Sequence, residues 1–154
     1  MKNLHIIDLH FLETKEAIAS FLIKTEDGPI LIETGPESTF PQLKNSLNKL
    51  GYQIENIKHV FLTHIHFDHA GAAWKFADAG AKIYVHPIGL PHLASPEKLW
   101  NSAAQIYGDD MERLWGSMSP IAKENLIGVE ENKVFKFGEL ETFLVDSSQF
   151  GFEP

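Results

Sequence analysis

Val60-Phe61-Leu62-Thr63-His64-Ile65-His66-Phe67-Asp68-His69-Ala70-Gly71 changes character twice in a short space. The apolar run Val60-Phe61-Leu62 reads as a buried strand. Ala70-Gly71-Ala72-Ala73 reads as the start of a helix. Between them, three histidines and one aspartate fall within six positions. The polar cluster is therefore expected on a loop leaving the end of a strand, a common place for chemistry in an α/β protein.

In an extended segment side chains alternate, so His64, His66 and Asp68 are expected to project to one side. Two imidazoles two residues apart can hold one metal ion from that side. Asp68 and His69 follow where the chain turns and can serve a second ion beside it. Neutral imidazole and carboxylate are ligands suited to Zn²⁺ or Fe²⁺. A metal with an open coordination position lowers the pKa of bound water to about 7 and so supplies a nucleophile at neutral pH. Any one of these histidines alone reads as an ordinary surface residue; the set of four does not.

The chain has 154 residues, enough for one domain with a real core. Its 44% hydrophobic and 22% charged content is ordinary for a soluble globular protein. With no cysteine, a disulfide framework or thiolate-held metal is excluded, and a transition metal must use His and carboxylate. The formal net charge of -8 argues against nucleic-acid binding. No signal peptide or membrane-length apolar run is evident, so a cytoplasmic protein without a membrane partner is expected.

Leu4 to Leu12 and Ala17 to Lys24 read as strands, and Glu26-Asp27-Gly28-Pro29 as a turn into Ile30-Leu31-Ile32, giving a hairpin. Leu43, Leu47 and Leu50 recur at helical spacing after a cap at Ser38 or Thr39, and Gly51 stops that helix. His59 reads as a polar flank of the next strand. Lys82 to His86 is a further strand, with His86 a strand-end residue that bonds locally. His92 is a weaker candidate for any function. Ser95-Pro96-Glu97 opens a helix, and a second helical piece starts at Asp109 or Asp110. This region is rich in Trp, Tyr and Met, as core segments and pocket walls both are. Lys133 to Phe137, Gly138 and Leu140 to Val145 form a last hairpin. No repeat or linker interrupts the chain.

His64-Ile65-His66-Phe67-Asp68-His69 resembles the H-x-H-x-D-H signature of the metallo-β-lactamase-fold hydrolases, with Gly71 following as it does there. Ile30-Leu31-Ile32-Glu33-Thr34-Gly35 is similar to that family's strand ending in D-T-G. Glu33 stands for the Asp, which keeps the charge and lengthens the arm. The resemblance runs from about Ile6 to about Val145. It implies an α/β (α+β) fold, the N-terminal half of a four-layer αββα sandwich. It also implies that the region of Trp100 and Trp115 covers the active-site mouth and shapes substrate choice.

The resemblance implies a zinc-dependent hydrolase, with one or two Zn²⁺, acting on a small ester, lactone, thioester or amide. His64 and His66 would hold the first ion, Asp68 and His69 the second. Asp68 would also act catalytically by orienting the hydroxide or moving its proton. A single Fe²⁺ in a sulfur dioxygenase-like enzyme is the alternative chemistry. A non-catalytic fragment that only binds metal or associates is the alternative without chemistry.

In the family, the last hairpin leads into a T-P-G-H turn whose His completes the first metal site. Here that place reads Asp146-Ser147-Ser148-Gln149-Phe150-Gly151, with Phe150 near the His position. The family's later bridging Asp and final His have no counterpart. The expectation is a single domain over residues 1–154, incomplete at its C-terminus, with weak metal binding and little activity alone. Its uncovered sheet face is expected to favour a homo-oligomer.

Overall fold

Strand β1 (Leu4–Asp8) runs antiparallel to β2 (Ala19–Thr25), and β2 to β3 (Gly28–Ile32), in a computed structural model that describes residues 3–130 and 133–143. The β2–β3 hairpin closes through Glu26 and Asp27, as its turn residues predict. Thr25 Oγ1 accepts the Asp27 N–H and donates to the Gly28 carbonyl. Helix α1 (Phe40–Lys49) then carries the chain to β4 (His59–Phe61), which pairs parallel to β3. Two short helices, α2 (Phe67–Ala70) and α3 (Ala73–Asp78), lead to β5 (Lys82–Val85). Helices α4 (Leu90–Ala94), α5 (Glu97–Tyr107) and α6 (Met111–Trp115) precede β6 (Leu126–Gly128). Strands β5 and β6 extend the parallel part, so the sheet order follows the chain order from β1 to β6.

The parallel strands are buried on both faces, by helices on one side and a hairpin on the other, which is why Ile30-Leu31-Ile32, Val60-Phe61-Leu62 and Ile83-Tyr84-Val85 are unbroken apolar runs. Leu31, Val60 and Ile83 turn to one face and pack with Leu43 and Leu47 of α1 and Phe76 of α3. Ile30, Phe61 and Tyr84 turn to the other face. There they meet a separate hairpin of β7 (Val134–Phe137) and β8 (Leu140–Phe143) through Phe135, Phe137 and Leu140. Phe61 stacks on Tyr84 at 4.3 Å between ring centroids, with Phe135 and Phe137 edge-on. Among the described residues the layers are thus helices, six-stranded sheet and hairpin, as the N-terminal part of an αββα sandwich requires. Ile6 lies beyond the hairpin's cover and is 69% exposed.

Several expectations are corrected. β1 ends at Asp8 rather than Leu12, because its carboxylate accepts the N–H groups of His10 and Glu16 and closes a loop. That loop holds His10, Leu12, Glu13 and Glu16 at positive φ. Neither Ser38 nor Thr39 caps α1 with its side chain: the Thr39 hydroxyl donates to Pro36 and the Ser38 hydroxyl to Leu114. His59 is the first residue of β4, half-buried against Tyr84 and Phe137, not a solvated flank. The helix after the motif begins at Phe67 rather than Ala70. Among the described residues no helix is long and apolar enough to cross a membrane. Asp146–Gly151, including Phe150, lie outside the described residues.

Candidate metal centre

The site is built by the segments that follow β3 and β4. Past the buried Leu62, whose N–H bonds to the Tyr84 carbonyl, the chain leaves the sheet. His66 keeps an extended conformation and ends the loop; Phe67 starts α2. Asp68 therefore sits in a first helical turn, where a carboxylate is favoured by the helix dipole. The segment after β3 is stitched to α2. The Thr34 N–H and hydroxyl both donate to the His69 carbonyl, at 2.8 and 2.9 Å. The Ala72 N–H bonds back to Gly35.

His64, Asp68 and His69 each bring one ligand atom into a group whose members lie within 4.8 Å of one another. The His64 and His69 rings are 3.8 Å apart between centroids. His66 stands beside this group, its ring 4.9 Å from that of His64 and perpendicular to it. The extended-chain pattern pairs His64 with His66 and Asp68 with His69. The closest grouping instead takes His64 with Asp68 and His69, because the chain turns helical at Phe67 and swings His69 over His64.

Hydrogen bonds assign the nitrogens. His64 Nδ1 is 2.9 Å from the Thr63 hydroxyl, so Nε2 remains for an ion. His69 Nε2 lies 3.2 Å from Asp68 Oδ2, and Nδ1 lies 3.4 Å from Glu33 Oε2. Asp68, then Glu33, hold the His69 imidazolium and push its pKa up to about 9. The contact with His69 in turn lowers the pKa of Asp68. Burial, reinforced by the neighbouring His69 and His66, lowers the pKa of His64 and keeps it a neutral ligand.

The donor set of two imidazoles and a carboxylate suits zinc. Bonds of about 2.1 Å put ligand atoms at most about 4.2 Å apart. The observed spread closes to that with small side-chain rotations. A proton and a metal compete for His69 Nε2, as for any histidine ligand.

Two features were not singled out as site residues from the sequence. Glu33 is buried at 5% exposure and donates nothing; its Oε1 accepts the Thr63 N–H at 3.1 Å. Its place before Thr34-Gly35 was the available signal. Phe67, between two candidate ligands, anchors an aromatic wall. Trp100 meets it edge-on, Trp115 stacks on it, and Phe11 stacks on the same Trp115. The Trp-rich helical region thus packs on Phe67 of the motif as part of a small hydrophobic cluster. His86 stays local, Nδ1 accepting the Ile88 N–H.

Known proteins resemble the chain in sequence and in fold. The chain is similar to N-acyl homoserine lactonases, at 34% identity over 79 residues for one from Bacillus sp. and 32% over 81 residues for AiiA of Bacillus thuringiensis subsp. kurstaki. These matches cover 36% and 38% of this chain and 32% of each lactonase. Among solved structures it resembles the metallo-beta-lactamase GOB-18 from Elizabethkingia meningoseptica, with TM-score 0.66 and 27% identity over 90% of this chain and 46% of that one. It also resembles MEM-A1, a subclass B3 metallo-beta-lactamase from a soil metagenome library, with TM-score 0.65 and 26% identity. The chain spans about half the length of these structures. A family model described as the metallo-beta-lactamase superfamily matches residues 14–153, and with the histidine cluster on that fold the chain belongs to this superfamily.

Proposed function

We propose that these residues form the metal-binding half of a single hydrolase domain that uses zinc to open lactones of the N-acyl homoserine class. The observation that carries the reading is the convergence of His64, Asp68 and His69 at the end of a buried strand. The relatives matched in sequence are lactonases, which favours a lactone over the other acyl substrates of the superfamily. Phe11, Trp115 and Trp100, partly exposed around the buried Phe67 that precedes Asp68, offer apolar side chains to an acyl chain.

Zinc supplies a water of pKa near 7 and polarises the carbonyl oxygen. His64, Asp68 and His69 would hold the metal, with His66 standing beside them. Asp68, 42% exposed on its side chain, would receive a proton from the attacking water and pass it to the leaving oxygen. Glu33 and Thr34 fix His69 from behind.

The test is acid release by the purified, zinc-loaded chain from an N-acyl homoserine lactone and, separately, from a β-lactam. The comparison between the two substrates decides. Lactone opening that a chelator abolishes, and that Asp68→Ala lowers by about 10²-fold or more, is the expected result. No zinc-dependent lactone opening, or faster opening of the β-lactam, contradicts it.

A further inference from the structure

Trp115 ends α6, a helix of five residues, too short to hold itself in place. Its position is set from outside the helix. Three side chains grip the backbone on either side of it. The Ser38 hydroxyl donates to the Leu114 carbonyl at 2.6 Å. Glu37 Oε2 accepts the Ser117 N–H at 3.1 Å, and the Trp74 indole N–H donates to the Ser117 carbonyl at 3.3 Å. Lys75 Nζ, 2.9 Å from Glu37 Oε1, fixes that carboxylate from α3. Gly116 makes the close approach possible. A Cβ there would collide with Glu37 Oε2 and lie 2.6 Å from the Ser38 nitrogen, and its φ of +75° favours glycine as well.

This grip joins two parts of the site. Glu37 and Ser38 follow closely on Thr34-Gly35, the segment bonded to the His69 carbonyl and to Ala72. One short stretch of chain therefore holds the helix of Asp68 and His69 and also the segment of Trp115. Trp115 is the centre of the aromatic cluster: its ring stacks on Phe11 at 5.5 Å and on Phe67 at 5.9 Å, and Tyr107 meets it edge-on at 5.3 Å. Its Nε1 is buried without a hydrogen-bond partner among the described residues. Burying an unpaired donor costs free energy, and a freely turning indole would bring its N–H to water. The bonds to Leu114 and Ser117 oppose that turn.

We propose that Glu37 and Ser38 are positioning residues that hold Trp115 in register with the metal ligands and so set a preference for long acyl chains. This rests on the lactonase reading of the site. The gain from an apolar ring grows with the acyl surface laid on it. A long chain thus draws on the position of Trp115 more than a short one, while the carbonyl that reacts is the same in both. Loosening the grip weakens binding of the long chain and leaves the chemical step alone.

The experiment compares opening of butanoyl- and decanoyl-homoserine lactone by the zinc-loaded full chain, Ser38→Ala, Glu37→Ala and Glu37→Gln, with circular dichroism to confirm folding. Indole ¹⁵N NMR, with Trp115 assigned from Trp115→Phe, follows exchange of its N–H with solvent. The wild type is expected to show the lower KM for the decanoyl lactone; equal KM values overturn the proposal. Both alanine variants are expected to raise KM for the decanoyl lactone about ten-fold, with KM for the butanoyl lactone and kcat for both within about two-fold of wild type. Their Trp115 N–H is expected to exchange faster. Glu37→Gln, which keeps an acceptor for the Ser117 N–H, is expected to stay closer to wild type than Glu37→Ala. A KM that rises equally for both lactones, or unchanged Trp115 exchange, overturns the proposal. If Glu37→Ala does not fold, Ser38→Ala decides. A wild type that opens neither lactone overturns this proposal together with the lactonase reading. Normal wild-type opening with unaffected variants removes the role of Glu37 and Ser38 and leaves that reading standing.

Discussion

Gly71 closes the motif and shows how little room its surroundings leave. A Cβ there would meet the Phe67 carbonyl oxygen at 2.6 Å and Pro36 Cα at 2.9 Å. Both are backbone atoms and cannot swing aside. Gly71 has ordinary helical φ/ψ, so alanine would gain up to about 1 kcal/mol of helix propensity. Overpacking costs about 1–3 kcal/mol and wins. Gly71→Ala is therefore expected to lower the denaturant midpoint, with weaker zinc binding as α2 moves off the Gly35-Pro36 segment. An unchanged midpoint would mean the contact relaxes freely. The four candidate ligands were legible at this scale because unusual residue types at short spacing are visible in one dimension. Glu33's reach was not, since it depends on a left-handed backbone and on burial that no local pattern announces.

At the scale of elements, β4 and β5 read clearly as apolar runs, yet their two faces serve different partners. His59 opens β4 on the hairpin side, with Nδ1 2.9 Å from the Tyr84 hydroxyl and Phe137 at 4.8 Å between rings. Burial lowers its pKa. The unfolded chain, with a histidine of pKa about 6.5, then binds the proton more readily than the native state. His59's contribution is fully present above about pH 6.5 and lost as pH falls through its lower folded value. His59→Gln, which keeps a polar partner for the Tyr84 hydroxyl, removes this titration. Denaturant midpoints between pH 8 and 5 are expected to fall less steeply in the variant. Parallel curves would contradict the assignment. The sequence pattern missed this because His59 precedes the apolar run, and only the fold of β7 and β8 over it makes it a packed residue. The helix start at Phe67 was missed for a related reason. Ala70 and Gly71 drew the boundary, whereas the extended His66 sets it.

For the whole molecule, the strands, helices and last hairpin were legible as apolar runs separated by turn and cap residues, while their layering was implied by the family resemblance alone. What no single stretch could show is that chain order and sheet order coincide. That arrangement stacks the ends of β3 and β4 side by side and brings Glu33, His64 and His69 to one place. The different grouping of the three ligands comes from the helical turn that starts at Phe67. The central claim is that this convergence binds metal. Its most direct test is a crystal of the chain grown with zinc and measured on both sides of the zinc absorption edge. The account predicts an anomalous peak within bonding distance, about 2.1 Å, of His64, Asp68 and His69. Zinc held elsewhere on the chain, with these three side chains apart from it, would contradict it.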